Sequence, residues 1–339
     1  MLSSILYQIG LCSILIAIVQ LVRLFLADAD LNILMYEKYG RFRTSLFGKV
    51  IWITGASSGI GENLAYLICR KRLGAKIVLS SRRREELEKV KSRCIALGQK
   101  SDDIYVVHMD LRDYETHDGL AWSVAQKFDK IDILINCAGR GQCALALDTS
   151  LEVDRSALHL NTLGTISLIK AVIMNDMKAN AKGQIIYISG LEGKRGMPLS
   201  SSCSASSKAT QGFLEALRFE LAADTDIKIS NIYIGPIKNA HYVNSMYVEN
   251  VEDLNKDKRR LGIFRKQSMD RCVSLILTAI VNEVDEVWIG ERGWLIYMYI
   301  FQYLPSFTNW LLLTTHRWNQ YQRPEKNSKY AYIYNRNNE

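Results

Sequence analysis

The sequence predicts an α/β protein with a doubly wound parallel sheet, framed by an apolar N-terminal segment and an aromatic C-terminal extension. Short β-rich runs alternate with helical patterns through the middle of the chain, as expected for parallel strands joined by crossover helices. Between the first run and the first helical pattern lies Thr54-Gly55-Ala56-Ser57-Ser58-Gly59-Ile60-Gly61, a glycine turn in a strand–turn–helix context. At the ends, residues 2–22 carry no charged side chain, and residues 294–313 are rich in Trp, Tyr and Phe.

The chain has 339 residues, 48% of them hydrophobic and 23% charged, enough for one large α/β domain with extensions. The divisions expected are an anchor over 1–27, a linker over 28–48, the α/β domain over 49–290 and a membrane-interface extension and tail over 291–339. The net charge is +8, with Lys and Arg spread along the chain rather than gathered into a stripe. That excludes a dedicated nucleic-acid surface and suits an anionic cofactor and anionic lipid. Neither the seven cysteines nor the five histidines show metal-ligand or disulfide-framework spacing.

Taken in order, residues 2–22 with Leu24-Phe25-Leu26 are long enough to span a bilayer. Two readings fit. Ala27-Asp28-Ala29 has the small-x-small pattern of a signal-peptide cleavage site. The length of the run and the absence of a preceding basic region favour an uncleaved anchor. Arg23, Lys38, Arg41, Arg43 and Lys49 follow the span, which leans the main domain towards the cytosolic side.

Strands are expected over 50–53, 76–80, 104–109, 131–136, 184–189, 228–234 and 286–289. Helices are expected over 62–71, 85–97, 114–128, 153–177, 209–222 and 269–282. The polar segment 239–267 follows the sixth strand and reads as a lid, a substrate-side loop or a solvated excursion. The stretch 294–313, broken by Pro305 and flanked by Arg292, His316, Arg317 and Arg323, suits a membrane interface or a helix packed on the domain.

The glycine turn carries the first functional signal. Gly55 permits the tight turn, Gly59 lets a pyrophosphate approach the backbone, and Gly61 lets the helix pack on the strand. With Ser57, Ser58 and Ile60 these residues form a phosphate cradle at a helix N-terminus. After the second run comes Ser80-Ser81-Arg82-Arg83-Arg84, where many dinucleotide folds carry an acidic residue for the adenosine ribose. Guanidinium groups of Arg82 or Arg83 match a 2′-phosphate instead, favouring NADP(H) over NAD(H).

With these motifs the chain resembles the short-chain dehydrogenase/reductase family over about 49–290. Asp110-Leu111 is similar to the family's adenine contact, and Asn136-Cys137-Ala138-Gly139 to its Asn-Asn-Ala-Gly signature. Asn161 resembles the family's catalytic Asn, and Gly235-Pro236-Ile237 part of its Pro-Gly-Pro-Val turn. The resemblance is closest to a branch with an N-terminal anchor and an aromatic C-terminal extension. It implies a Rossmann-type fold, an endoplasmic reticulum membrane location, NADP(H)-dependent reduction of carbonyl compounds of steroid or retinoid type, and subunit pairing through the domain's helices.

Family chemistry uses a Tyr as proton donor, a Lys four residues later that lowers the Tyr pKa and clamps the ribose, a Ser that bonds the carbonyl, and an Asn that holds a water. Here the pattern departs. The helical stretch Cys203-Ser204-Ala205-Ser206-Ser207-Lys208-Ala209-Thr210-Gln211-Gly212-Phe213 matches the family motif without a gap at Ala205, Ser206, Ala209, Gly212 and Phe213. Cys203 then stands at the Tyr position, Ser207 at the Lys position and Gly190 at the Ser position; Asn161 is retained. A rival register, one residue along, puts Lys208 at the Lys position and Ser204 at the Tyr position, and loses the later matches. Tyr187 reads as core, while His241, Tyr242 and Tyr247 are candidates for replacement acids. Three functional readings follow: an NADP(H)-binding protein with lost or much reduced turnover, an active oxidoreductase with non-standard acid groups, and a partner protein without cofactor.

Overall fold

The computed structural model describes residues 2–41, 46–238 and 266–314. Its strands are β1 Val50–Thr54, β2 Lys76–Ser81, β3 Ile104–His108, β4 Ile133–Asn136, β5 Lys182–Gly190, β6 Asp226–Ile234 and β7 Glu286–Ile289. They form one seven-stranded sheet in the order β3-β2-β1-β4-β5-β6-β7, with every pairing parallel. The helices are α1 Leu2–Leu26, α2 Leu31–Tyr39, α3 Gly59–Arg70, α4 Arg84–Ala96, α5 His117–Phe128, α6 Leu151–Met177, α7 Ser201–Ala222, α8 Met269–Val281, α9 Arg292–Tyr303 and α10 Pro305–Thr314.

A sheet covered on both faces buries its strands whole, which is why β1 reads Val-Ile-Trp-Ile rather than alternating. All five β1 residues are buried, and the Trp52 indole N–H finds its partner in Ser80 Oγ at 2.9 Å. Leu64 and Ile68 of α3, Leu87 of α4 and Ile276 of α8 pack with Ile51, Ile53, Ile77 and Ile135 on one face. Val124 of α5, Leu168 and Val172 of α6 and Leu214 of α7 pack with Trp52, Val78, Leu134 and Tyr187 on the other.

All seven strands lie where the sequence places them, with shifted ends. β4 starts at Ile133 because the residues before it are held otherwise. The Ile131 N–H donates to Asp176 Oδ2 at 2.8 Å, and Asp132 accepts from Lys49 Nζ, Lys130 Nζ and the Val50 N–H at 2.7, 2.9 and 2.9 Å. Helix α6 is continuous but widens into π-helical turns over Leu158–Gly164 and Ile173–Met177. Gly164 sits so close to the Leu111 carbonyl that a Cβ would collide with it. Among the described residues α6 is the helix long and apolar enough to cross a membrane, yet it is mostly buried against the sheet, so its apolarity belongs to the core.

The stretch 28–48, expected as a linker, is in part folded onto the domain. Ala29 forms an antiparallel bridge with Ile289 at the β7 edge. Asp30 caps α2 by accepting from the Ile33 N–H at 3.0 Å, and its second oxygen accepts from the Trp288 N–H at 2.8 Å. Arg271 of α8 holds Asp28 through two hydrogen bonds of 2.8 and 3.1 Å and also grips Glu37. Leu295 and Met298 of α9 are buried with Ala27, Leu191, Tyr233 and Trp288, so the segment after α1 and helix α9 meet beside the C-terminal ends of β6 and β7. The segment 239–265, with His241, Tyr242 and Tyr247, lies outside the described residues, as does the tail beyond 314.

Removing both Asp30 hydrogen bonds leaves buried N–H donors unpaired and uncaps α2. Asp30→Ala is expected to lower stability by about 2 kcal/mol in chemical denaturation; an unchanged midpoint would show that this edge attachment contributes nothing.

Candidate functional site

The site lies at the C-terminal ends of the strands, where β1 leaves β2 on one side and β4 on the other. At such a switch point the crossover helices diverge and open a crevice. Thr54 closes its floor. The Thr54 Oγ1 accepts from the Cys137 and Ala138 N–H groups, at 3.1 Å each, and lies 3.4 Å from the Ile135 carbonyl. This draws the β4 loop against the glycine turn. Gly55, at φ +65°, comes so near that a Cβ would stand 2.9 Å from Ala138 Cα. A Cβ on Gly61 would stand 2.9 Å from the Gly55 carbonyl, so helix α3 packs onto the turn only through a glycine.

Gly59 differs from both. Its φ is +64°, and a Cβ there would meet nothing within 4 Å. No side chain of Ser58 caps the start of α3, which leaves that N-terminus directed at open space with its partial positive charge. The Arg83 guanidinium closes one side: Nη2 donates to Ser57 Oγ at 2.9 Å and to Ser58 Oγ at 2.7 Å, and Nε to Ser57 Oγ at 3.2 Å. Arg82 is exposed, and its carbonyl lies 3.1 Å from His108 Nε2. Ile60 packs at the rim of the core.

The remaining expected cofactor residues lie on the loops and strand ends at this edge of the sheet. Asp110 is engaged by Arg112 in a two-pronged pair of 2.7 and 3.1 Å, which holds its carboxyl below the ordinary value. Leu111 is buried. Asn136 Nδ2 donates to the Ile186 carbonyl at 3.2 Å. Gly139 lies against Asn161, whose Oδ1 a Cβ would meet at 3.3 Å. Beyond β6, the Pro236 carbonyl accepts from the Gln267 N–H at 3.0 Å, and Ile237 is buried in a bridge to Gln267.

Asn161 sits in the first π-helical turn of α6, and its amide is fully engaged. Oδ1 accepts from the Arg140 N–H at 2.9 Å, and Nδ2 donates to the Arg140 carbonyl at 3.0 Å and to Ser206 Oγ at 3.1 Å. The Asn161 carbonyl accepts from Thr210 Oγ1 at 3.2 Å. The residue therefore clamps the β4 loop to α7.

On α7, Cys203, Ser206, Ser207 and Thr210 are buried, whereas Ala205, Lys208 and Ala209 are exposed. Lys208 thus points to solvent, while Cys203 and Ser207 are turned into the protein. Ser189, Ser207 and Thr210 gather around the Tyr187 phenol, whose pKa burial raises and whose ring packs in the core. Ser189 donates to the Gly190 carbonyl at 3.2 Å.

Sequence reasoning missed Glu192. The turn Leu191–Gly193 follows β5 directly and is held from behind by buried Leu191. It returns the Glu192 side chain over Gly190, so that a Cβ at 190 would overlap both carboxylate oxygens. Cys203 Sγ donates to Glu192 Oε1 at 3.3 Å. Burial pushes the Glu192 carboxyl above the ordinary glutamate range, and burial together with the nearby carboxylate pushes the Cys203 thiol well above its own. The missing side chain at 190 was the available signal, because a residue two positions on from a glycine can fold back over it.

Because the folded chain holds the Glu192 proton more tightly than the unfolded one, stability falls as pH rises from the ordinary glutamate value through the raised one. Glu192→Gln removes this contribution, while Asp30 and Asp176, also raised by burial, keep theirs. Thermal melts over that window should show the variant gaining on the wild type as pH increases; parallel curves would mean the carboxyl is not perturbed.

The family profile of short chain dehydrogenases matches residues 49–247. The human protein Dehydrogenase/reductase SDR family member 7 is 40% identical over 90% of this chain and 89% of its own length. A Drosophila melanogaster relative, Dehydrogenase/reductase SDR family protein 7-like, is 30% identical over 84% of this chain and 85% of its own. A short-chain dehydrogenase from Streptomyces avermitilis superposes with a TM-score of 0.65 at 22% identity, covering 78% of this chain and 97% of that one. An alcohol dehydrogenase from Thermococcus sibiricus, complexed with 5-hydroxy-NADP, superposes with a TM-score of 0.58 at 20% identity, covering 72% and 96%. Sheet order, glycine turn and sequence relatives lead to one conclusion: this chain belongs to the short-chain dehydrogenase/reductase family.

Proposed function

We propose that this chain is a membrane-associated, NADP(H)-binding member of the family in which turnover by the family's serine–tyrosine–lysine apparatus is lost or much reduced. One observation carries the reading. The crevice is intact at the phosphate end, while positions 190, 203 and 207 bring together a glycine, a buried thiol and a buried hydroxyl under the Glu192 carboxyl. Neither a phenol nor an ammonium group faces that place among the described residues.

The open space at Gly59 and the uncapped start of α3 fit a pyrophosphate. The Arg83 fork on Ser57 and Ser58 stands ready for a 2′-phosphate, which supports NADP(H) over NAD(H). When bound, the cofactor supplies the hydride; the chain's residues hold it and set the proton supply.

Membrane association is supported by the exposed apolar side chains of α1, among them Ile5, Leu6, Ile14 and Ile16, and by Tyr303, Phe307 and Trp310 at the C-terminal end. The incorporation of Asp28, Ala29 and Asp30 into the domain edge supports an uncleaved anchor, since a break after Ala29 would sever it. Exposed Leu158, Leu163 and Met174 on α6 and Phe219 on α7 support subunit pairing through these helices. A second reading, a slow carbonyl oxidoreductase with a non-standard acid group, is favoured by the position of Glu192.

Calorimetry with NADPH and NADH tests the cofactor. NADPH should bind more tightly, and Arg83→Ala should weaken it by about tenfold to a hundredfold with little effect on NADH; absence of NADPH binding would leave the partner-protein reading. Fast turnover of simple aldehydes or ketones by the wild type would overturn the loss of activity. Restoration tests the geometry. In Gly190→Ser with Cys203→Tyr and Ser207→Lys the new serine must displace the flexible end of Glu192, so NADPH-dependent turnover should be weak and should rise when Glu192→Ala is added.

A further inference from the structure

The side chain that replaces the missing apparatus comes from the turn beyond β5. We propose that Glu192 is the proton-donating group of this site, the one through which any residual reduction of a carbonyl compound proceeds. The inference rests on the cofactor-binding reading above.

The geometry has three parts. The two Glu192 oxygens occupy the space that a side chain on Gly190 would fill, which is where the family resemblance places the hydroxyl that bonds the substrate carbonyl. Oε1 is anchored by the Cys203 thiol at 3.3 Å, from the position where the resemblance places the phenol. The carboxyl therefore stands at the junction of two vacated positions. The turn that carries it is rigid: Leu191 is buried against Tyr233, Trp288, Leu295 and Met298, and Gly193 lies so close to Ser189 and Ser207 that a Cβ would meet Ser189 Oγ at 2.7 Å. A proton donor has to be held at hydrogen-bond distance, and this backbone holds one.

The charge environment suits a carboxylic acid. The neighbouring cations are engaged elsewhere: Lys194 Nζ pairs with Glu286 at 2.7 Å, and Arg195 is held by Tyr297 and Asn309 and stacks on Phe301 at 4.0 Å. The group that Glu192 contacts on α7 is the Cys203 thiol, which burial and the nearby carboxylate hold in its neutral form. Desolvation without a compensating cation raises the pKa of the half-buried carboxyl, the direction that favours a proton donor.

The step balances as follows. A hydride, with its electron pair, passes from a reduced nicotinamide dinucleotide to the carbonyl carbon. The π pair of the C=O bond moves to oxygen, which takes the proton from Glu192. The products are an alcohol, the oxidised dinucleotide and the Glu192 carboxylate, which regains a proton from water. The reaction is slow because the carboxylate forms in a desolvated place with no ammonium beside it.

The test uses the full chain in detergent or nanodiscs, with benzil as the carbonyl probe and NADPH as reductant. Calorimetry first establishes equal NADPH affinity in wild type, Glu192→Gln and Glu192→Asp, which also reports that the variants fold. Wild type should oxidise NADPH slowly with benzil, Glu192→Gln about a hundredfold more slowly still, and Glu192→Asp at an intermediate rate. Independently of turnover, the infrared difference spectrum between wild type and Glu192→Gln with NADP⁺ bound should contain a protonated-carboxyl stretch at neutral pH. Bound NADPH with equal rates in wild type and Glu192→Gln, no wild-type rate at all, or an ionised carboxyl at neutral pH would each overturn the assignment of Glu192 alone. Failure of NADPH to bind would overturn the cofactor reading and this inference with it.

Discussion

The crevice depends on how closely two backbones can pass. β1 and β4 are neighbours in the sheet, and just beyond their ends the glycine turn and the β4 loop touch at Gly55 and Ala138. One hydroxyl, Thr54 Oγ1, takes both N–H groups that the loop presents. Those donors would otherwise be unpaired in the interior, where each costs about 1–3 kcal/mol. Once the floor is set, the positions of α3, the Arg83 fork and Asn161 follow from it, because each rests on one of these two segments.

The two ends of this crevice are set by different kinds of constraint. At the phosphate end, backbone geometry determines the arrangement, and glycine is required at 55 and 61 by contact distance. Around Gly190, side chains determine it. The glycine at 190 leaves room for Glu192, the thiol at 203 bonds the carboxyl, and the serine at 207 joins the hydroxyl cluster around Tyr187.

Much of this was legible in the sequence, and the remainder was hidden for identifiable reasons. Continuous apolar runs locate the strands because parallel strands buried on both faces need no alternation. The exposure of Lys208 follows from helical periodicity alone, since Cys203, Ser207 and Thr210 share a stripe that Lys208 leaves. Asp30 and Ala29 were not legible as structure: their partners at Trp288 and Ile289 are more than 250 positions away, and local pattern carries no such pairing. Glu192 was hidden because its role depends on an absence two residues earlier. The same apolarity that suggested a membrane at the N-terminus recurs in α6, and only burial distinguishes a core helix from a spanning one.

The bridge between Ala29 and Ile289 has a consequence for the sheet as a polymerisation surface. β7 is the last strand, and a bare edge presents N–H and C=O groups to which a foreign strand can add. Here the start of the chain occupies that edge: the Asp30 N–H donates to the Trp288 carbonyl, the Gly290 N–H to the Asp28 carbonyl, and the Asp30 carboxylate takes the Trp288 N–H. The segment that leads out of α1 thus covers the edge to which a foreign strand could add, and a protein shortened to begin after residue 30 would present that edge bare.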